Sequence, residues 1–224
     1  MRDITLSKRL SAAASLVRSG AVCADIGTDH AYIPINLVLK GRVARAIASD
    51  VNEGPIKIAK ENIKSCGLED KITVTVANGL EGIERHAPTD ILICGMGGEL
   101  IVKILDASDY VRNNGIRLIL QPMTCISELR EYLSCGFNIV DEDIVLDSGK
   151  LYQIICAEYD GVKREYSKSE LELGKINIAK KDTLFSNLVC ALLEKRKKRL
   201  NGLKIGGYAT DEVEQEIKEL ESLL

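Results

Sequence analysis

Acidic residues and a single glycine follow the first apolar segment of the chain. Residues 22–26 are apolar apart from Asp25, and the run continues through Gly27 and Asp29. An apolar strand that leads through Asp-x-Gly into a helix places this run at the carboxyl edge of a sheet, where Gly27 lets a ligand approach the backbone closely. The run lacks the GxGxxG fingerprint of dinucleotide sites, and its acids would repel a pyrophosphate. They suit a cationic, phosphate-free ligand such as S-adenosylmethionine; the alternative is an ordinary strand-to-helix turn.

Polar residues also follow the second and third apolar segments. Asp50 comes 23 positions after Gly27 and is followed by Asn52. An acid at this point of a parallel sheet can accept both ribose hydroxyls of a bound nucleoside. Asn78 and Gly79 stand after the third segment, where the asparagine amide could pair with an adenine edge. Many loops begin with Asp, and Asn-Gly is a common turn sequence, so neither signal is specific alone.

The fourth apolar segment, residues 90–94, runs into three glycines within residues 95–98. Such a loop predicts backbone pressed against a flat or bulky group, and tight helix packing is the alternative. Gln121, after the fifth segment, falls on the same edge. Because the ends of several strands carry polar or glycine-rich loops, the sequence predicts one ligand site at the carboxyl edge of a parallel sheet.

The segments that position these loops alternate in type. Short apolar runs are separated by helical patterns such as residues 56–66, which end before Gly67. The five runs are residues 21–26, 43–49, 72–76, 90–94 and 116–120. Strands alternating with helices predict a parallel sheet with right-handed crossovers, and residues 137–146 and 151–157 predict an antiparallel hairpin. This α/β layout is the mostly parallel, Rossmann-like sheet of class I methyltransferases.

A purely helical pattern follows residue 160. Residues 177–203 have apolar residues at helical spacing, which glycines from Gly202 onward are predicted to interrupt. Thr210 or Asp211 is expected to cap a second helix. The two segments predict a helical hairpin or short coiled coil joined by a glycine-containing turn.

Charge is unevenly distributed, although the net charge is only −3. Residues 175–204 carry +7, and residues 211–221 carry −5. One interpretation, the more common for charge runs, is a basic helix packed on an acidic one with solvated outer faces. The other is a basic surface that meets a polyanion, with Lys195, Lys198 and Arg199 as candidate contacts to nucleic-acid phosphates.

Composition excludes several classes of protein. The chain has 224 residues, of which 46% are hydrophobic and 28% charged, as is typical of a globular protein. No apolar run reaches the roughly 18–20 residues that span a bilayer, and the N-terminus lacks an apolar signal core, so we expect a cytoplasmic protein without membrane contact. The seven cysteines include no CxxC pair, and only two histidines are present, so we expect no metal site. Nothing in the sequence indicates an obligate protein partner.

Five short motifs, taken together, resemble those of a known protein family. They are residues 24–34 (ADIGTDHAYIP), 49–52 (SDVN), 77–80 (ANGL), 93–101 (ICGMGGELI) and 120–123 (LQPM). They resemble the bacterial tRNA (adenine-N1)-methyltransferase family that modifies adenine 22 of tRNA, and the similarity covers the chain nearly end to end. The resemblance implies S-adenosylmethionine as cofactor and tRNA as partner. It implies donor binding by Asp25, Gly27, Asp50, Asn52, Asn78, Gly79, Gly95, Met96 and Gly97.

The same resemblance implies that Asp29 lies in the catalytic pocket. The N1 atom of adenine has an in-plane lone pair, so it needs orientation rather than a general base. We expect Asp29, or secondarily His30, to stabilise the ring as it becomes cationic, and Tyr32 to offer a stacking face. The alternatives are a helix N-cap for Asp29, a hydrogen-bonded core residue for His30 and simple packing for Tyr32.

The sequence thus predicts an S-adenosylmethionine-binding catalytic domain over residues 1–160 and a tRNA-contacting helical hairpin over residues 161–224. A methyltransferase acting on another RNA, a small molecule or a protein would share the sheet without needing tRNA contacts. A non-catalytic RNA-binding module would not need the intact acidic and glycine-rich loops. A nucleotide-dependent oxidoreductase would need the missing glycine fingerprint.

Overall fold

The computed structural model describes residues 4–224, which divide into two compact units, one ending at Arg164 and the other Glu165–Leu224. The strands are β1 (Val22–Ile26), β2 (Arg45–Asp50), β3 (Ile72–Val76), β4 (Asp90–Met96), β5 (Arg117–Pro122), β6 (Phe137–Asp147) and β7 (Lys150–Tyr159). The α-helices are α1 (Lys8–Ser15), α2 (Tyr32–Leu39), α3 (Glu53–Ser65), α4 (Gly98–Asp106), α5 (Ile126–Ser134), α6 (Lys168–Leu173), α7 (Lys175–Lys180), α8 (Phe185–Gly206) and α9 (Asp211–Glu221).

The strands form one sheet in the order β3-β2-β1-β4-β5-β7-β6. The first five are parallel, and β7 pairs antiparallel with both β5 and β6. The predicted class I methyltransferase sheet with its terminal hairpin is therefore confirmed. Since β1 lies between β2 and β4, the carboxyl ends of these three strands are neighbours, and this is where the sheet order changes direction.

Both faces of the sheet are covered, which explains why its strands are almost continuously apolar. Side chains of β1 alternate between the two sides: Cys23 packs in the cluster that includes α1 and α2, whereas Ala24 and Ile26 pack in the cluster that includes α4 and α5. Arg130 of α5 is fully buried and donates hydrogen bonds to Glu142 of β6 at 2.8 Å and to Gln153 of β7 at 2.7 Å. This polar contact fixes α5 to the hairpin within the apolar core.

The outer edge of the sheet is the eleven-residue strand β6. Its pairing with β7 is interrupted by a bulge between Ile139 and Asp141. Beyond the bulge, Asp141 accepts a hydrogen bond from the amide of Glu142 at 2.8 Å, and Asp143 accepts one from the amide of Ile144 at 2.9 Å.

The second unit is helical, but the predicted single helix over residues 177–203 is wrong at its beginning. Lys181 has a left-handed backbone with φ 46°, which ends α7. The Asp182 carboxylate then accepts hydrogen bonds at 3.0 Å from the amides of Leu184 and Phe185. These hydrogen bonds satisfy amides that have no partner within the helix, so a new helix, α8, begins at Phe185.

The predicted interruption at Gly202 is also wrong, because α8 continues to Gly206 and ends at Gly207, which has φ 70°. A helix-interior glycine costs about 1 kcal/mol relative to alanine, which packing and ion pairs against α9 can offset. The helical hairpin itself is confirmed, with α9 beginning after Thr210.

Candidate active site

A cavity of about 370 Å³ lies at the carboxyl ends of β1, β2 and β4. We refer to it as the acidic cavity, because three carboxylates and one guanidinium line it. Its lining residues are Arg9, Leu10, Asp25, Gly27, Thr28, Asp29, Tyr32, Ile33, Asp50, Cys94, Gly95 and Met96. The structure therefore brings together seven of the residues that the sequence predicts for the donor, catalytic and substrate sites, although these are separated by up to 71 positions in the chain.

The loop after β1 is held in an unusual backbone conformation. Gly27 has φ 71°, and two non-glycine residues, Asp29 and Ala31, are left-handed at φ 53° and 59°. Left-handed non-glycine residues carry strain and cluster at functional sites. The amides of Gly27 and Thr28 both donate to the carbonyl oxygen of Ser49 at 2.8 Å. Both amides are thus engaged within the protein.

The left-handed backbone of Gly27 favours glycine, and the terminal methyl group of Met96 packs where a side chain would begin. A Cβ atom at position 27 would lie 2.1 Å from Cε of Met96, whose side chain lies over the loop. The other glycines of the β4–α4 loop have different surroundings. A Cβ at Gly98 would lie 2.0 Å from the carbonyl oxygen of Cys125, so tight packing explains this glycine. Gly97 faces Thr124 and does not line the acidic cavity, whereas Gly95 does.

Asp25 is a buried carboxyl group at the floor of the acidic cavity, with 3% of its surface exposed. Burial raises the pKa of Asp25 to about 6; a hydrogen bond of 2.6 Å from Thr28 lowers it, and the negative charge of Asp50 raises it further. A cation bound beside Asp25 would compensate this loss of solvation and favour the carboxylate form.

Asp50 stands half-buried at the end of β2. One of its oxygens accepts a hydrogen bond from the amide of Asn52 at 2.8 Å, which orients the carboxylate at the cavity. The Asn52 side chain is exposed, makes no capping hydrogen bond to α3 and does not line the acidic cavity. Its backbone therefore positions Asp50, while its side chain lies apart from the acidic cavity.

Asp29, His30 and Tyr32 form a contiguous group at the rim. The Asp29 carboxylate is 71% exposed and lies 3.5 Å from Nε2 of His30, whose ring centroid is 5.3 Å from that of Tyr32. Because the N-cap of α2 is Ala31 and forms no side-chain hydrogen bond, the N-cap alternative for Asp29 is wrong. Among the described residues, buried Nδ1 of His30 has no hydrogen-bond partner, so a satisfied core histidine is not what the structure shows.

A second cavity, of about 650 Å³, holds Asn78 and Gly79, whereas Asn52 and Gly97, also predicted as donor residues, line neither cavity. Asn78 and Gly79 lie there with Leu100 and Ile104 of α4, and we call it the Asn78 cavity. Met96, the last residue of β4, lines the acidic cavity, and Leu100 of α4 lines the Asn78 cavity. The predicted donor residues are thus divided between two neighbouring parts of the sheet edge.

Sequence reasoning missed Arg9. The guanidinium donates a hydrogen bond to Oε1 of Gln121, which also accepts the amide of Gly95 at 3.1 Å, and it lies 5.4 Å from the ring centroid of Tyr152. Arg9 stands on α1, ahead of the first strand, and no spacing relates it to the strand-end motifs. Only the tertiary fold reveals that it faces the acidic cavity.

In the helical unit, most of the basic run is already paired with acids. Arg196 contacts both Glu172 and Glu216, and Lys197 lies 2.9 Å from Glu221. These ion pairs agree with the interpretation in which a basic helix faces an acidic one. Arg199, 52% exposed, reaches Glu216 at 4.0 Å.

Two lysines of the same run differ from their neighbours. Lys195 and Lys198 are exposed, and within residues 4–224 neither forms an ion pair. They are three positions apart on α8, so they lie on the same side of the helix. Of the predicted nucleic-acid contacts, these two have the charge and exposure to meet a polyanion.

Within residues 4–224, no group of three or more His, Cys, Asp or Glu side chains is arranged to hold a metal ion. No helix in that range is both long enough and apolar enough to cross a membrane.

The sheet order and the acidic site at its carboxyl edge define a methyltransferase of the Rossmann-like class, and residues 6–155 match the family described as methyltransferase domain. The chain is 39% identical over 170 residues to the tRNA (adenine(22)-N(1))-methyltransferase of Bacillus subtilis (strain 168), covering 72% of this chain and 71% of that protein. The chain belongs to the tRNA (adenine(22)-N(1))-methyltransferase family.

Two solved structures extend this similarity to the full chain. A Streptococcus pneumoniae protein in complex with S-adenosyl-L-methionine has a TM-score of 0.87 and 36% identity, covering 98% of this chain and 100% of that one. M. capricolum TrmK in complex with S-adenosyl-homocysteine has a TM-score of 0.82 and 28% identity, covering 97% of this chain and 96% of that one.

Proposed function

We propose that this protein transfers the methyl group of S-adenosylmethionine to N1 of adenine 22 in tRNA. The observation that carries the proposal is the charge pattern of the acidic cavity, which combines Asp25, Asp29 and Asp50 with Arg9. The donor has a sulfonium, an ammonium and one carboxylate, and it has no phosphate. The engaged amides of Gly27 and Thr28 fit such a ligand and do not fit a pyrophosphate.

Each end of the donor has candidate partners. Asp50, with one oxygen held by the Asn52 amide, would accept hydrogen bonds from the ribose hydroxyls through the other. Buried Asp25 would face the ammonium group and Gly27 would allow close approach, while Asn78 and the half-exposed Leu100 would hold the adenine in the Asn78 cavity. When bound, the donor supplies a methyl group activated by the positive charge on its sulfur.

The chain's own contribution to the reaction is orientation and charge stabilisation. N1 needs no base, but the adenine must be unpaired and aligned. Asp29 would accept a hydrogen bond from the exocyclic amine and so stabilise the charge that develops on the ring. His30, 3.5 Å from Asp29, would hold that carboxylate, and exposed Tyr32 would stack on the adenine.

The tRNA requires a larger surface than the acidic cavity. We assign it to the helical unit, where exposed Lys195 and Lys198, with Arg199 beside them, would neutralise phosphates. Phosphate contacts supply affinity and orientation without reading sequence, so base choice would remain with the acidic cavity. Residues 1–164 would then be catalytic and residues 165–224 would bind tRNA, in the cytoplasm where tRNA is available.

Methyl incorporation from labelled S-adenosylmethionine into unmodified tRNA transcripts tests this function. We expect label in a transcript with adenine at position 22 and none in a matched transcript with guanine there, with N1-methyladenosine found on nucleoside analysis. Equal labelling of both transcripts would contradict the assigned position. A methyltransferase for a small molecule or a protein would bind S-adenosylhomocysteine and leave both transcripts unlabelled.

A further inference from the structure

The turn that joins α8 to α9 presents two large apolar side chains to solvent. Ile205 is 81% exposed and Tyr208 is 70% exposed. The two helices are still joined just before this segment, where Lys204 lies 3.0 Å from Glu214, so residues 205–208 form the end of the hairpin. We refer to them as the hairpin tip. Most of the surface of its two apolar side chains is not used by the fold.

The backbone of the hairpin tip is fixed by hydrogen bonds. The amide of Tyr208 donates to the carbonyl oxygen of Leu203 at 3.0 Å, and the amide of Gly207 donates to that of Lys204 at 3.3 Å. With Gly207 left-handed at φ 70°, these bonds form the Schellman motif that closes many helices. An apolar contact with the last helical turn often accompanies the motif, yet Tyr208 stays largely exposed. The motif therefore holds the tyrosine without covering it.

Gly206 makes room for the ring of Tyr208. A Cβ atom at position 206 would lie 2.6 Å from Cε2 and 2.7 Å from Cδ2 of that ring, so the ring rests against bare backbone of α8. The φ of Gly206 is not left-handed, so the backbone conformation does not require glycine there. Glycine within a helix costs up to about 1 kcal/mol relative to alanine, and here it accommodates an exposed ring. An aromatic ring seated in this way is organised before any partner binds.

The outer side of α8 adds positive charge to the hairpin tip. Lys195, Lys198 and Ile205 lie on one side of the helix, because steps of three and of seven residues return to the same face. Both lysines are exposed. Residues 195–210 contain six Lys or Arg and no Asp or Glu. An exposed aromatic ring beside cationic side chains is the composition of surfaces that bind unpaired nucleotides.

We infer that Tyr208 stacks on an unpaired base of the tRNA. This inference rests on the proposed function and deepens it, because it gives the helical unit a contact with a base in addition to its contacts with phosphates. Unpaired bases in RNA loops can be splayed out and bound by stacking on aromatic side chains. Every base has a flat face, so a single exposed ring is sufficient for such a contact. Lys195 and Lys198 would hold phosphates of the same RNA.

A protein, or a second copy of this chain, is the competing occupant of the hairpin tip. A stable protein interface buries about 800 Å² on each partner, which one tyrosine and one isoleucine do not supply. A base needs only one face of the ring. The acids that follow the turn, Asp211 and Glu212, stand in the first turn of α9, where the helix dipole offsets part of their charge. The size and charge of the hairpin tip therefore favour RNA.

Binding of an unmodified tRNA transcript to the full chain tests the inference. We expect Tyr208→Ala to weaken tRNA binding by about ten- to hundredfold, as is typical of losing one base stack. Tyr208→Phe keeps a stacking ring and should bind within twofold of the unaltered protein. The slope of log affinity against log salt should stay unchanged in both variants, because tyrosine carries no charge. The affinity for S-adenosylhomocysteine should also stay unchanged.

Two further variants separate base stacking from support of the turn. Gly206→Ala should displace the ring and weaken tRNA binding, while the melting temperature stays the same or rises because alanine favours the helix. Leu224→Ala is the matched control. It removes an exposed apolar side chain beyond the end of α9, next to Leu223, whose carbonyl oxygen accepts a hydrogen bond from Lys181 at the opposite end of the hairpin. It should leave tRNA binding unchanged.

Other outcomes overturn the inference in recognisable ways. Unchanged tRNA binding by Tyr208→Ala would show that the ring meets no base, and continued methylation of the transcript by the unaltered protein would leave the proposed function standing. A loss of binding shared by Tyr208→Phe, with a lowered melting temperature, would mean that the tyrosine only supports the turn. A changed sedimentation coefficient of Tyr208→Ala would assign the hairpin tip to a contact between copies. If the unaltered protein neither binds nor methylates the transcript, the proposed function itself fails.

Discussion

The side-chain amide of Asn62 donates a hydrogen bond of 3.0 Å to the backbone carbonyl oxygen of His30, thirty-two positions earlier in the chain. His30 stands between the two left-handed residues, Asp29 and Ala31. A strained loop persists only where its surroundings over-determine it, and this bond from α3 is one such constraint. We therefore expect Asn62 to help position the Asp29 carboxylate.

We predict that Asn62→Ala slows methyl transfer while donor binding is preserved. Small misplacement of a catalytic group can cost on the order of tenfold to a hundredfold in rate. Single-turnover rates on tRNA and the affinity for S-adenosylhomocysteine measure the two effects separately. Glu61→Ala, at an exposed neighbouring position on the same helix, is the matched control. An equal decrease in rate for both variants would mean that general damage to α3 is the cause.

The role of Asp29 can be tested without disturbing its backbone. Asparagine tolerates the left-handed conformation, so Asp29→Asn removes the charge and keeps the loop geometry. We expect the single-turnover rate to fall by roughly a hundredfold, in the range typical of removing electrostatic stabilisation, with donor affinity within twofold. A rate within threefold of the unaltered protein would show that the Asp29 carboxylate takes no part in the reaction.

The raised pKa of Asp25 predicts that donor affinity depends on pH. The carboxylate form of Asp25, which we propose to face the donor ammonium, exists mainly above pH 6, since burial raises the pKa of Asp25 to about 6. Affinity for S-adenosylhomocysteine should therefore fall as pH decreases below 6, by up to about tenfold per unit. Asp25→Asn should bind more weakly at neutral pH and show little change between pH 5 and 7. A wild-type affinity that is constant over this interval would contradict the contact.

The same carboxyl group predicts a pH dependence of stability in the absence of donor. Its pKa is higher in the folded protein than in the unfolded chain, so the folded state binds the proton more tightly. The free energy of unfolding should therefore decrease as pH rises from about 4 to 6, the interval between the two pKa values. Asp25→Asn should remove this component, which is measured as the difference between the two proteins in urea unfolding at each pH.

The exposed lysines of α8, Lys195 and Lys198, predict how tRNA is held. Replacing both with Glu should weaken tRNA binding and reduce the slope of log affinity against log salt, by about 0.7–0.9 for each phosphate that is no longer neutralised. Lys197→Glu is the matched control, because Lys197 is already paired with Glu221. It should reduce thermal stability more than tRNA affinity. An unchanged salt slope in the double variant would place the tRNA elsewhere.

Much of the sheet and the site could be predicted because both depend on local signals. Strand ends are marked by an apolar run followed by Asp or Gly, and parallel strands bring such ends to one edge, so Asp25 and Asp50 could be placed together from the sequence alone. The assignment of Asn78 to a separate cavity could not be predicted, since it depends on how Leu100 and Ile104 of α4 pack beside Asn78.

What could not be predicted depends on contacts between distant segments. Arg9 reaches the acidic cavity only because α1 packs against the sheet, and Gln121, its acceptor, is 112 positions away. In the helical unit, spacing identified the hairpin, but distinguishing paired Arg196 from its exposed neighbour Lys195 required the position of Glu216 on the facing helix. The break at Lys181 was hidden because the apolar spacing continues through it.

The aspartates of β6 also bear on how the molecule behaves at high concentration. A long strand at the border of a sheet offers unpaired amides to any neighbouring chain, and such borders seed edge-to-edge aggregation. Here Asp141 and Asp143 accept hydrogen bonds from the amides of the residues that follow them, and a bulge between Ile139 and Asp141 interrupts the regular strand. Because these amides are already bonded to carboxylates, an eighth strand from another molecule is disfavoured at β6. The edge of the sheet is thereby protected from intermolecular strand pairing.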